Sequence, residues 1–344
     1  MPQTPHVIRS ASLIGYVELA RSLGLNPQAL MRKAGLHARC LDDPETPVSV
    51  YAVQHLLELS AQAAGAEDFG LRMARNRRMA NLGPLSIVLR EEPTARAALN
   101  TLCRYLRLLN ASLLTHIEDH ADVVIIREAF LTERDGSIRQ SIELAVGVMH
   151  RILVELLGPG WKPRQVCFTH RPPTDLRGHR ALFGPQLAFN SGFSGIVCAA
   201  RDLTAKLPTV ETGVALYARR FLDQALSNTR SNTADAARQL IVALLPGGRC
   251  TADQVAQHLG MDRRTLHRHL DTQGSSFTRM IQQIRAEFVV RQLRDSDRPM
   301  AELAELIGFS SASAFAFWFR HHFGCSVSHW RKQNAASQLP AMNR

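Results

Sequence analysis

Within Arg263-Arg264-Thr265-Leu266-His267-Arg268-His269-Leu270, three guanidinium groups and two imidazoles surround two leucines four residues apart. If this stretch is helical, Leu266 and Leu270 turn toward a core, and Arg263, Arg264, His267 and Arg268 share the outer surface near the helix start and centre. A guanidinium fork can hold guanine O6 and N7 with two parallel hydrogen bonds in a major groove, worth about 1–3 kcal/mol of discrimination between bases. An imidazole can donate to a base acceptor or a phosphate. The alternative is a basic face that water alone covers. Asp262, immediately ahead, is placed to cap such a helix.

The surrounding sequence favours the first reading, because the phrase that would position this helix occurs twice. Val255-Ala256, Leu259-Gly260-Met261, Leu266 and Leu270 are answered by Leu303-Ala304, Ile307-Gly308-Phe309, Phe315 and Phe319. A small Ala lets two helices cross closely, a Gly opens the turn, and the apolar positions fix the second helix on the first, which is a helix–turn–helix. The first helices repeat at an offset of 48 and the second at 49, so the second turn is expected to be one residue longer. Phe277, Ile281, Ile284 and Phe288 predict a connecting helix of about 18 residues, roughly 27 Å long. That is close to the ~34 Å between successive major grooves on one side of B-DNA.

In the second copy the exposed face is expected to be Ala312, Ser313, Ala316 and Phe317. Such a surface suits thymine methyls, with Ser311 and Arg320 on phosphates. Packing of Phe317 and Trp318 against the final helix is the other reading. Sequence readout is therefore expected to rest on the first copy.

The rest of the chain bounds the answer. Its 344 residues are 45% hydrophobic and 21% charged, which suits a folded protein of two domains. The net charge of +11 fits a polyanion binder, although 37 of the 41 basic residues are Arg, a bias that a GC-rich genome also produces. From Asp235 onward 14 basic and 9 acidic residues give +5 over 110 positions, about twice the density of the remainder. Six scattered cysteines lack metal-ligand spacing and read as reduced thiols. No apolar run is long enough for a membrane span, and the first 20 residues lack a cleavable signal pattern, so a cytoplasmic location is expected. There is no G-x-S-x-G elbow, P-loop, H-E-x-x-H or dinucleotide fingerprint. No catalytic residue, metal site or cofactor is therefore expected, and neither Cys250 nor Cys325 has the surroundings of an activated thiol.

Residues 12–64 read as helices, with Pro27 in a first turn and Ser49 as a cap; Pro84 and Pro93 stand at helix starts, and Thr94–Leu109 is amphipathic. Ser112–Glu118 and Val123–Phe130 have strand character around a polar turn, followed by a long helix over 137–157, and Gln165–His170 and Ser194–Ala199 are further strands. The expected fold is an α+β first domain with a small antiparallel sheet over 1–208 and an all-α domain over 234–334. Residues 209–233 would form a helix and linker, and 335–344 a flexible tail. On the helix at 211–228, Val214, Tyr217, Phe221, Ala225 and Leu226 form an apolar stripe. It either packs on its own domain or forms the seam of a homodimer. Arg72, Arg75, Arg77 and Arg78 either attract a carboxylate or solvate a helix end; His170 is a ligand contact, a haem ligand or, more simply, a structural histidine.

The segment 234–332 resembles the DNA-binding domain of the AraC/XylS family. The resemblance rests on Leu259 to Leu270, Ile284-Arg285, Ile307-Gly308-Phe309-Ser310, Ser313-Ala314-Phe315, Phe319-Arg320 and Phe323-Gly324. It implies a bacterial transcription regulator, usually an activator, acting on double-stranded promoter DNA with RNA polymerase as a partner. It also implies base-reading roles for Arg264, His267 and Arg268. The second copy departs from the pattern: Phe317 stands where Arg is common, Trp318 where a small residue is usual, and Val327 where proline is usual.

The first domain resembles the arabinose-binding-type domain of ornithine-utilisation-type regulators in the same family. It does so through Leu82-Gly83-Pro84-Leu85, Pro93-Thr94, Phe168 to Pro173, Phe183-Gly184, Phe189-Asn190 and Leu207-Pro208. That implies an unidentified small-molecule effector and a dimer. Two other classes stay open: an enzyme with an appended DNA module, and a sequence-indifferent architectural binder.

Overall fold

Strand β1 (Val7–Arg9) pairs antiparallel with β2 (Pro47–Ser49), at the start of a computed structural model that describes residues 7–131, 137–207, 213–228, 233–245, 250–259, 261–296 and 298–336. The backbone divides into two compact units: Met1–Phe168 with Pro172–Arg230, and Thr169–Arg171 with Ser231–Arg344. Pro208, Glu211, residues 229–232 of the expected linker, Pro246-Gly247-Gly248, Gly260 and the tail from 337 lie outside the described residues.

Helices α1 (Tyr16–Ser22) and α2 (Pro27–Lys33) fill the gap between β1 and β2. Pro27 sits in the first turn, behind an Asn26 cap that accepts from Ala29 N. A helical reading of all of 12–64 missed β2. There Pro47 and Val48 keep the chain extended, until the Ser49 hydroxyl caps α3 (Val50–Ala64) by accepting from Ala52 N at 3.4 Å.

Next come α4 (Phe69–Arg75), α5 (Pro84–Arg90) and α6 (Ala95–Leu109), the last capped by Thr94. The hairpin β3 (Leu113–Asp119) and β4 (Val123–Phe130) turns through three residues, shorter than the polar run suggests, with His120 N donating to Val123 O at 2.9 Å. After α7 (Arg139–Leu157) follow β5 (Gln165–Cys167), α8 (Arg177–Phe183), β6 (Leu187–Ala188), β7 (Ser194–Ala199), α9 (Ala200–Thr204) and α10 (Gly213–Asn228).

The larger sheet runs β3-β4-β7-β5-β6, antiparallel except for the short β5–β6 pair. Along β4 burial alternates, so Val124, Ile126, Glu128 and Phe130 face the core, where α7 packs on β4 and β7. Helices α4 and α7 approach closely. A Cβ on Gly147 would lie 2.5 Å from Ala74 Cβ, and one on Gly70 would lie 1.9 Å from Gln140 O.

From Thr233 on, every described element is a helix: α11 (Thr233–Leu244), α12 (Ala252–His258), α13 (Arg263–Thr272), α14 (Phe277–Asp295), α15 (Met300–Leu306), α16 (Ala312–Phe323) and α17 (Val327–Ala336). Two apolar clusters hold these helices. One contains Ile241, Val255, Leu266, Leu270, Phe277 and Ile281; the other contains Val289, Leu293, Leu303, Ile307, Phe315 and Phe319. Each such side chain, fully buried, contributes about 1.5–3 kcal/mol. Helix α14 supplies residues to both clusters and so joins them. Among the described residues no helix is long and apolar enough to cross a membrane.

Candidate nucleic-acid interface

The two helix–turn–helix copies close with equivalent hydrogen bonds. Met261 N donates to Ala256 O at 3.0 Å, and Phe309 N to Ala304 O at 2.9 Å. Leu259 N reaches Val255 O, and Ile307 N reaches Leu303 O. The first turn spans 259–262 and the second 307–311, one residue longer. In the second, Gly308 takes φ +81°, a left-handed conformation that lets α15 stop within one residue.

Helix α12 begins with a capping box in which Thr251 and Gln254 exchange side-chain and backbone hydrogen bonds. Helix α13 is capped by Asp262, whose carboxylate accepts from Thr265 N at 2.7 Å and from the Thr265 hydroxyl at 3.1 Å. These hydrogen bonds hold the Asp262 carboxyl below its ordinary range, with a smaller push from the Arg268 charge. Leu266 and Leu270 are fully buried, and that orients the rest of α13. Arg263, Arg264 and Arg268 are exposed, and His267 is half-buried beside them. Arg263 also lies 3.5 Å from the Asp253 carboxylate across the turn, an exposed pair that leaves the guanidinium accessible.

Helix α16 repeats the geometry with different chemistry. Ser311 caps it, accepting from Ala314 N at 3.1 Å, and its hydroxyl proton remains available to an acceptor outside. Phe315 and Phe319 are buried, Ser313 and Arg320 are exposed, and Ala312 and Ala316 are half-buried. Phe317 is 77% exposed, so packing against the final helix does not account for it. Trp318 does pack, against Phe309, Phe315 and Phe323, and its Nε1 donates to Gln282 Oε1 on α14 at 2.7 Å. The unusual Val327 is buried at the start of α17, where Ser326 accepts from His329 N.

Helix α14 has 19 residues, or about 28 Å at 1.5 Å per residue. Near its middle, Arg238 of α11 holds Glu287 with two bonds of 2.9 and 3.0 Å. Arg285 projects over the Phe309 ring, 5.3 Å from its centroid. Its guanidinium is partly desolvated there, which draws its pKa below the usual arginine value.

Other residues singled out in the sequence are dispersed. On α10, Ala215, Ala218 and Leu222 pack inward against α5 and α6. Asp223 accepts from Arg104 at 2.8 Å and Tyr105 at 2.6 Å, and Arg219 donates to Glu92 at 2.7 Å. Val214, Tyr217 and Phe221 point outward at 56%, 71% and 60% exposure, with Ala225 half-buried, so α10 is apolar on two faces rather than one.

Of the arginine cluster, Arg72 pairs with Asp68 at 2.7 Å and exposed Arg75 reaches Gly178 O at 3.3 Å. Arg77 is buried, donates to Ala11 O at 2.8 Å and to Ser12 O, and lines an internal cavity; Arg78 stands exposed at the rim of that cavity. His170 is buried, its Nδ1 2.8 Å from Arg171 O. Among the described residues no cluster has the makings of a metal site. Burial pushes the Cys250 thiol up to about 11, the opposite of what an activated thiolate needs. The residues the sequence reading missed are Gln54, Glu128 and Ser141, buried polar side chains that share a cavity with Arg77.

Residues 24–207 match the family model described as the arabinose-binding domain of AraC transcription regulator, N-terminal, and residues 255–333 match a helix-turn-helix domain. The chain is 25% identical over 333 residues to the HTH-type transcriptional regulator VirS of Mycobacterium tuberculosis, covering 96% of this chain and 98% of that one. It is 20% identical over 331 residues to the ornithine utilization regulator of Pseudomonas aeruginosa, covering 96% and 97%. The crystal structure of transcriptional regulator CdpR from Pseudomonas aeruginosa aligns over 91% of this chain and 97% of that one, at 18% identity and a TM-score of 0.43.

Proposed function

Since the chain belongs to the AraC family of transcription regulators and is a DNA-binding regulator, we propose that it is a ligand-responsive activator that lays α13 and α16 in successive major grooves of one duplex. The observation that carries this is the pair of capped reading helices joined through α14, whose residues enter both cores. Arg264, His267 and Arg268, with Arg263 beside them, read bases. Ser311 and Arg320 hold phosphates, while Ser313, Ala316 and Phe317 lie against the second groove.

Residues 1–208 sense the effector and 234–334 bind promoter DNA in the cytoplasm, beside RNA polymerase. The helix within 209–233 joins two copies of the chain through Val214, Tyr217, Phe221 and Ala225. Three exposed apolar side chains at positions i, i+3 and i+7, on a helix already anchored from behind, suit an isologous seam. The chain performs no chemistry of its own.

A titration tests the reading. A duplex enriched from a randomised pool by the full-length protein is competed against its own scrambled sequence. About a thousandfold preference is expected, and steep weakening with salt. Equal affinity for the two would leave an architectural binder instead.

A further inference from the structure

The first unit encloses a cavity of about 160 Å³ between α3, α6, α7 and the β3–β4 hairpin. Its wall is largely apolar, with Leu57, Leu106, Val148 and Met149 contributing. An engineered apolar cavity of about 150 Å³ takes up benzene, so the space here suits a single ring or a short branched chain. A packing defect would have only such walls. This cavity also gathers polar side chains from four separate segments: Gln54 on α3, Arg77 after α4, Glu128 on β4 and Ser141 on α7. All four are at least nine-tenths buried. Among the described residues, Gln54 Nε2, Arg77 Nε, Glu128 Oε2 and Ser141 Oγ have no hydrogen-bond partner. Buried polar atoms without partners are rare in folded proteins, and four converging on one space point to a ligand that completes them.

From this arrangement we infer that the cavity binds a small hydrophobic monocarboxylate, its ring or alkyl body among the leucines and its carboxylate received by Arg77 and Gln54. The inference rests on the ligand-responsive reading above only for its regulatory consequence.

The charge balance selects an acid over an amine. Among the described residues Arg77 faces no carboxylate in an ion pair; its two terminal nitrogens go to the backbone oxygens of Ala11 and Ser12. Burial lowers its pKa only to about 10, so it stays a cation at neutral pH. Burial pushes Glu128 up to about 8, against a weak 3.5 Å hydrogen bond from Thr115, so at pH 7 it is mostly protonated and able to donate. Arg78 at the rim adds a second cation, whereas Arg9 is already held by Glu45. The lining thus carries unbalanced positive charge and uncommitted donors, which a carboxylate matches and an ammonium opposes.

Binding to the full-length protein is measured by calorimetry with benzoate, benzyl alcohol and benzylamine, without DNA. Benzoate should bind at least about tenfold more tightly than the alcohol, with the amine weakest. Arg77→Gln removes two backbone anchors as well as the charge, so two milder variants carry the test. Ala145→Leu fills the cavity from α7; it should abolish benzoate binding while leaving the thermal midpoint unchanged or raised. Glu128→Gln cannot ionise. In the wild type, affinity should fall several-fold between pH 7 and 9 as Glu128 gains charge, and in Glu128→Gln that fall should disappear.

Among the described residues, the groups around Glu128 named by the structure do not titrate in that window. Cys103 on α6 is pushed up to about 12, Arg77 titrates near 10, and Thr115 and Ser194 on the flanking strands are neutral. Equal affinity for acid and alcohol, no binding of any probe, or full binding to Ala145→Leu each overturns the inference. Benzoate that binds as described without changing affinity for DNA upholds the site and removes the regulatory reading. A protein that binds no probe yet discriminates between DNA sequences keeps its DNA reading and loses this site.

Discussion

Helices α13 and α16 are built on one plan and present opposite surfaces. Their turns share the same bond, from Met261 N to Ala256 O and from Phe309 N to Ala304 O. Their caps, Asp262 and Ser311, accept from the residue three places on. Yet α13 packs on two leucines and shows three arginines, whereas α16 packs on two phenylalanines and shows another one. Placement and presented chemistry are therefore separable: buried positions fix where each helix sits, and exposed positions decide which groups it offers. An aromatic core also consumes surface. Trp318, which would otherwise join the outer face, is drawn in by Phe309, Phe315 and the side-chain Oε1 of Gln282.

The largest expected effect tests the cores. Phe315→Ala empties the centre of an aromatic cluster at a fully buried position and should cost about 3–5 kcal/mol, against about 2–5 kcal/mol for Leu266→Ala. Denaturant unfolding followed by fluorescence of Trp318 and Trp330, both packed in the second cluster, measures the first directly. Equal losses in the two variants would mean that the aromatic core adds nothing to the second copy.

Next comes the contrast in readout. Arg268→Ala should weaken binding to a preferred duplex by about ten- to a hundredfold and relax the choice of base at one position. Phe317→Ala should cost less than about threefold, since a methyl contact is all it can lose. If the two variants weaken specific binding alike, the asymmetry between α13 and α16 is gone.

Much of this was legible in the sequence because it rests on periodicity. The duplicated apolar phrase located both turns and even the extra residue in the second, and the spacing of Leu266 and Leu270 set which side chains of α13 face out. The expected hairpin, the long helix and the capping roles of Ser49 and Asp262 came from signals equally local.

What escaped depends on partners distant in sequence. Strand β2 forms only because β1 lies beside it. Helix α10 carries apolar residues on two faces, and a linear stripe does not tell which face its own domain covers; α5 and α6 take Ala215, Ala218 and Leu222. The four neighbouring arginines look alike in sequence, and only the fold buries Arg77 while leaving Arg75 outside. Glu128 was within reach: the alternation of Val124, Ile126 and Phe130 puts it on the inner face of a strand, an acid in an apolar row.

A smaller effect probes the shared backbone contacts. Arg320 is exposed near the far end of α16, away from its capped start. If it neutralises one phosphate, Arg320→Ala should weaken binding to preferred and scrambled duplexes equally, and reduce the slope of log affinity against log salt by about 0.9. A change confined to the preferred duplex would instead make Arg320 a base reader and give α16 the chemistry that its face otherwise lacks.

The smallest effect separates the two caps. Hydrogen bonds from Thr265 hold the folded-state pKa of Asp262 below the unfolded value of about 3.9. A carboxylate lowered in this way stabilises the fold above its unfolded pKa, and that contribution fades as pH falls through the folded-state value. Asp262→Asn keeps the oxygen that accepts from Thr265 N and loses only the charge at the helix start. The variant should therefore melt slightly below the wild type at pH 7, and the gap should close on acidification below about pH 4. Ser311, which cannot ionise, gives α16 no such step, so Ser311→Asn should show the same offset from the wild type at both pH values. An Asp262→Asn gap that persists in acid would place the value of that cap in its shape rather than its charge, and would make the two helix starts equivalent after all.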